Sequence, residues 1–207
     1  WAAWSVGGVD RVLARTQSSG TLYTLAAESA VFGALAIAIA LVILKIRTHM
    51  PRFIVAGDAT RNLAAKVHHE PTNLFDKTAP LALAAAAVGA AIGAWFVGAE
   101  MVKGQMFAAA VVAGLLAAVA GRLSSQSISP VWFFGGLMVV AVAGPVIATF
   151  VHAGTLGPTR AAVSGKLFAL ARPMPLDWIA GAFVGIPLGL WWAGSLIERE
   201  SVKAEKR

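Results

Sequence analysis

Glu28 is the residue whose type and position most directly suggest chemistry. It lies in the apolar segment TLAAESAVFGALAIAIALVIL, which contains no other ionisable side chain. A carboxylate is costly to hold in hydrocarbon, so Glu28 is a candidate proton or cation carrier, or an ion-pair partner for another chain. Alternatively, Glu28 lies close enough to the start of its segment for interfacial water, the helix N-terminus, or Arg11 and Arg15 to stabilise it.

The four histidines offer weaker chemistry. A bis-histidine haem site needs two imidazoles at matched depth on facing helices. His152 adjoins an apolar segment, whereas His49, His68 and His69 share the connection 45–78. The pattern disfavours transmembrane electron transfer and leaves His152 as a weak cofactor-binding candidate, a single axial ligand to haem or chlorin.

His68, His69 and Glu70, with Asp76 nearby, are weak candidates for a metal site. Adjacent histidines on a helix point about 100° apart, and neither His-x-x-x-His nor Glu-x-x-His spacing is present. A solvated surface is the favoured interpretation, and we expect no metal there.

Motifs of soluble enzymes are missing from the sequence. There is no cysteine, no glycine-rich phosphate loop, no nucleophile elbow and no pair of hydrolase carboxylates. The sequence therefore indicates no catalytic residue and requires no cofactor, and it favours a protein that is not an enzyme. The net charge of +7 does not predict nucleic-acid binding, because the basic residues flank apolar segments.

Composition places the whole chain in a membrane. Of 207 residues, 58% are hydrophobic and 13% charged, and the mean hydropathy is +0.74. Since roughly 20 apolar residues cross the hydrocarbon core as a helix, the charge-free runs predict an all-α, polytopic bundle in a single domain, 1–207. The five predicted spans are 25–44, 79–99, 105–121, 130–151 and 178–197.

Three further segments have predicted roles. Apolar residues at helical spacing predict interfacial helices over 53–69 and 158–172. The short apolar start, 1–9, is interpreted as an interfacial anchor through Trp1 and Trp4, with the end of an earlier helix or of a cleaved signal segment as alternatives. Residues 198–207 read as a short charged cytoplasmic tail.

Orientation follows from basic residues in the connections. Eleven of the 17 Lys and Arg residues lie on the side that holds 45–78, Arg122 and the tail, and six lie on the other. Because basic residues are retained in the cytoplasm, we expect the N-terminus outside and the C-terminus inside. Alanine- and glycine-rich usage loosely suggests a bacterial inner membrane.

Small residues recur at intervals that favour close helix packing. The candidate packing glycines are Gly89, Gly93, Gly114, Gly181, Gly185 and Gly189. Such faces suit contacts within the chain or with another chain equally well. Pro145 and Pro187 predict kinks.

These features favour a non-catalytic membrane subunit, packed against other subunits or copies of itself in a larger assembly. One alternative is a small channel or carrier for an ion or solute that uses Glu28. A second is a membrane enzyme or cofactor-binding subunit that uses His68, His69 or His152.

Overall fold

All regular secondary structure in the part of the chain described here is helical. The computed structural model describes residues 7–18, 20–49, 77–126, 128–154 and 156–205. Seven α-helices and one 3-10 helix occupy these ranges, and no strand does. They are α1 (Val9–Thr16), α2 (Gly20–His49), α3 (Ala79–Val97), α4 (Lys103–Ser124), α5 (Val131–Val151), α6 (Gly157–Val163), the 3-10 helix Ala169–Ala171 and α7 (Pro175–Glu205).

Five of these helices are long and apolar enough to cross a bilayer. The spans are Gly20–Val42, Ala79–Val97, Lys103–Ser124, Val131–Val151 and Pro175–Ile197. A helix satisfies all its interior backbone hydrogen bonds within the segment, as hydrocarbon demands. The prediction of an all-α, five-span membrane bundle is confirmed.

Two spans begin earlier than the hydropathy pattern predicts, because polar side chains cap their first turns. Ser18 Oγ accepts a hydrogen bond from the Gly20 backbone N–H at 3.1 Å, so α2 begins at Gly20 and not near residue 25. In α7, Asp177 Oδ2 accepts the Met174 N–H at 2.9 Å, which fixes a start at Pro175.

The shortest of the five predicted spans, 105–121, forms the centre of the bundle. It lies within α4, whose most extensive contacts are with α3 and α7. Almost all the buried residues of α4 are small: Ala109, Ala110, Ala113, Gly114, Ala117, Ala118 and Gly121. A helix lined with such residues lets the neighbouring backbones come close, which is how membrane helices gain packing energy.

The candidate packing glycines lie at these close contacts within the chain. A methyl group on Gly89 would lie 2.5 Å from the carbonyl oxygen of Leu116, and one on Gly185 would overlap the carbonyl oxygen of Val111. Gly114 faces the backbone of Gly181 and Gly185 in the same way. These glycine faces are therefore occupied by intramolecular packing.

The connection between α5 and α7 corrects the predicted helix over 158–172. The helix α6 ends at Val163, because Gly165 takes a left-handed conformation with φ +70°. The Gly165 N–H donates to Ala162 O and the Lys166 N–H to Ala161 O, the two hydrogen bonds of a glycine-terminated helix end. The chain then reverses and forms the short 3-10 helix before α7.

The helix α1 lies against α6, and the sequence analysis missed it. Val9 and Leu13, one turn apart, are buried, whereas Arg11 and Arg15 are exposed. Thr159 Oγ1 lies 3.4 Å from Leu13 O, which ties the two short helices together. The predicted anchor residues Trp1 and Trp4 lie outside the described residues, as does the predicted helix 53–69.

Both prolines lie inside helices that continue past them, Pro145 in α5 and Pro187 in α7. The segment 198–205, predicted to be a charged tail, continues α7 as helix to Glu205.

The glycine contacts predict that an added methyl group destabilises the protein at one position of α7 and not at another. Gly185→Ala should lower the free energy of unfolding by about 1–3 kcal/mol, because its methyl group meets the α4 backbone. Gly194→Ala is the matched control, since no atom lies within 4 Å of that position, and it should leave stability unchanged or slightly raised. Thermal unfolding in detergent micelles measures both, and equal midpoints would contradict the packing described.

Candidate functional site

The polar side chains with candidate roles gather near one end of the bundle, where α2 begins. We call this the N-terminal end. Thr149 Oγ1, near the end of α5, lies 3.1 Å from the hydroxyl of Tyr23 in the first turn of α2. The guanidinium of Arg172 donates to Gly98 O at 2.7 Å, so the connections after α3 and before α7 lie at this same end.

Glu28 lies on the side of α2 that faces away from the bundle. The buried stripe of α2 contains Leu22, Leu25, Ser29 and Ala36, whereas Glu28 is exposed. None of the hydrogen bonds or ion pairs of the described residues involves its carboxylate. Arg11 and Arg15, proposed above as partners, are not paired with it.

The depth of Glu28 follows from the early start of α2. Glu28 is eight residues beyond Gly20, which places it about 12 Å along the helix at 1.5 Å per residue. The sequence analysis placed it less than one turn inside its span, and the structure places it more than two turns inside. The Glu28 carboxylate therefore lies beyond the first two turns of α2.

Two further ionisable residues lie in the spans at the N-terminal end and pair with each other. Lys103 begins α4, and Asp177 lies in the first turn of α7. The Lys103 ammonium nitrogen lies 2.8 Å from Asp177 Oδ1 and 2.9 Å from Oδ2. The Asp177 side chain is 1% exposed, so this pair replaces the water that the carboxylate loses on burial.

Arg172 holds two connections together. Its side chain is buried and donates to four backbone carbonyls: Leu167 O at 2.7 Å, Gly98 O at 2.7 Å, Gly165 O at 3.2 Å and Ala99 O. Burial lowers the pKa of the Arg172 guanidinium from its ordinary value. Arginine nevertheless stays protonated in proteins, so the side chain brings a full positive charge into this site.

A pocket of about 380 Å³ lies beside Arg172, between the ends of α3 and α5 and the segment 166–172. We call it the connection pocket. Its side chains combine cationic or protonatable groups with aromatic and aliphatic ones: Trp95, Val151, His152, Lys166, Phe168 and Arg172. The Trp95 and Phe168 rings meet edge to face, with centroids 5.5 Å apart.

His152, the weak cofactor candidate, lines this pocket. Its Nε2 accepts a hydrogen bond from the Phe168 backbone N–H at 3.1 Å. The neutral imidazole therefore carries its proton on Nδ1. An axial bond from Nε2 to a haem or chlorin would require this hydrogen bond to break.

The candidate metal ligands lie outside the described ranges. His68, His69, Glu70 and Asp76 are among the residues not described. No group of three or more metal-ligating His, Asp or Glu side chains occurs within the ranges given above.

Sequence reasoning missed Lys103, Asp177 and Arg172. Asp177 had a usable signal, because an acidic residue two positions after Pro175 is typical of a helix first turn. Lys103 and Asp177 are 74 residues apart, and their pairing depends on how α4 and α7 pack. Arg172 was counted as a connection charge, and its carbonyl partners depend on the fold of two separate connections.

Comparison with known proteins adds no name, since no protein-family model, no curated protein and no solved structure matches the chain.

The buried ion pair predicts a large cost for removing one partner. Lys103→Met should lower the free energy of unfolding by about 3 kcal/mol or more, because Asp177 is left charged and buried. Lys103→Met combined with Asp177→Asn should recover part of this loss. Lys166→Met is the control, since that lysine is exposed at the same end. The free energy of unfolding is measured in detergent micelles. Equal losses for Lys103→Met and Lys166→Met would refute the assignment of a buried ion pair.

Proposed function

We propose that this chain is a non-catalytic subunit of a larger membrane assembly, and that the outward face of α2 contacts the neighbouring chain. The observation that carries the proposal is the exposed carboxylate of Glu28, more than two turns inside a membrane-spanning helix. A charged group at that depth in lipid costs several kcal/mol. A partner that neutralises it or hydrogen-bonds it removes this cost.

The packing of α2 supports the same face as the contact surface for a neighbouring chain. Only 28% of its most apolar stretch is buried, against 33 to 44% in the other four spans. Its described contacts are chiefly with α5, and less extensively with α7. Large apolar side chains continue the exposed face towards the other end of the helix, among them Val31, Leu35 and Val42.

The partner chemistry follows from the residues on that face. The glycine faces already serve contacts within the chain, so the partner does not dock on them. The complementary surface is a transmembrane helix with apolar side chains and one Lys, Arg or His at the depth of Glu28. The partner with this chemistry is another subunit. A second copy of this chain would instead have to meet Glu28 with an uncharged hydrogen-bonding side chain.

The location completes the proposal. We place the chain in a bacterial cytoplasmic membrane with the N-terminus outside and the C-terminus in the cytoplasm. The support is the excess of basic residues in the connections on the side opposite the N-terminal end, eleven against six.

The same carboxylate supports one rival, a carrier in which Glu28 binds a proton or cation. Its position on the perimeter, and not between the five helices, favours a contact with another chain. The histidine-based membrane enzyme receives no comparable support from the described residues.

The size of the complex in mild detergent tests the proposal. The unaltered chain should run as a stoichiometric complex. Glu28→Leu should weaken association about tenfold, the effect of losing one interhelical hydrogen bond of 1–2 kcal/mol. Glu28→Gln keeps a hydrogen-bonding side chain and should largely preserve the complex. Native mass spectrometry of each variant measures the bound fraction.

Leu188→Ala serves as the control, because Leu188 is exposed on α7, away from Glu28. If Glu28→Leu leaves the bound fraction unchanged, or if Leu188→Ala lowers it equally, the proposed contact face is contradicted. If the chain alone moves protons or cations in liposomes and Glu28→Gln abolishes the flux, the carrier is correct and the subunit proposal is wrong.

A further inference from the structure

The connection pocket contains a buried positive charge that no carboxylate of the described residues balances. Arg172 is 9% exposed, and its four hydrogen-bond acceptors are all neutral backbone carbonyls. Asp177 is engaged by Lys103, and Glu100, close in sequence to the carbonyls that Arg172 binds, is exposed and not paired with it. A buried cation without a counter-charge indicates that an anion belongs nearby.

Donors for such an anion line the same pocket. Lys166 is exposed, and its ammonium group has no hydrogen bond or ion pair within the described ranges. The Arg172 guanidinium has five N–H groups, and three of them, on Nε and Nη1, donate to Leu167 O, Gly98 O and Ala99 O. One N–H of Nη2 donates to Gly165 O, which leaves the other free. His152 adds an Nδ1–H donor, because its Nε2 is engaged by Phe168.

The rim of the pocket is apolar and is exposed at the ends of two spans. Trp95 and Val151, in the last turns of α3 and α5, are 52% and 57% exposed and line the pocket. Their exposed neighbours Phe96 and Phe150 extend this surface along the two spans. The pocket therefore opens at headgroup level, next to a surface that acyl chains cover.

We propose that the connection pocket binds the phosphate of an anionic phospholipid headgroup. Lys166, Arg172 and His152 surround the phosphate, and the acyl chains lie along Trp95, Val151 and the adjoining faces of α3 and α5. Anionic headgroups bind in basic pockets between helix ends, and an apolar rim holds their acyl chains. A free phosphate offers the same anionic chemistry without the chains, so the rim is the feature that selects a lipid.

Lipid titration followed by native mass spectrometry tests the site. The detergent-purified full chain is titrated with phosphatidylglycerol and with phosphatidylcholine of the same acyl chains. Phosphatidylglycerol should bind at least about fivefold more tightly, and Lys166→Gln should remove about that factor, the value of one basic residue at an anionic lipid surface. The dissociation constants are the quantity compared.

Arg160→Gln is the matched control, because Arg160 is an exposed basic residue in α6 at the same end but does not line the pocket. It should keep the preference for phosphatidylglycerol. Equal losses in the two variants would show attraction by general surface charge and would overturn the site, as would equal affinity for the two lipids. Displacement of phosphatidylglycerol by millimolar inorganic phosphate would show that the ligand is the free anion and would overturn the lipid assignment.

Discussion

Close backbone approach around α4 is the constraint on which the rest of this structure depends. In lipid, apolar side chains gain little by moving from acyl chains to a neighbouring helix, so association relies on van der Waals contact between closely packed backbones. The small residues of α4 meet Gly89 and Gly93 of α3 on one side and Gly181, Gly185 and Gly189 of α7 on the other. This three-helix contact sets where α3 and α7 begin and end relative to α4, and thereby which connections meet.

The polar groups of the N-terminal end follow from that arrangement. Packing of α4 against α7 brings Lys103 to Asp177, and the meeting of the α3 and α7 connections gives the Arg172 guanidinium its backbone acceptors. Each of these buried polar groups is supplied with partners by an element remote in sequence. The same connections enclose the pocket in which His152, Lys166 and Arg172 share a wall with Trp95.

The helix α2 is not part of the close contact between α3, α4 and α7. It joins the bundle along one stripe, where Gly33 meets Met138 of α5, and its other face remains open. Lys103 and Asp177 are paired within the chain, whereas Glu28 is not. The contrast separates charges that build this fold from one that is available to a neighbour, and it is the basis of the functional proposal.

The sequence by itself determined the class of the protein and its five spans. The length of an apolar segment and the absence of charge along it are local properties, and they decide whether the segment can cross a bilayer as a helix. It also singled out Glu28 and the glycine faces. It could not decide whether those glycines faced inward. It treated Lys103 and Arg172 as ordinary connection charges and gave Asp177 no role. The central position of α4, which contains the shortest predicted span, was equally hidden. These features depend on pairings between residues far apart in the chain, and such pairings are selected by the fit of whole helix surfaces, which only the tertiary structure contains.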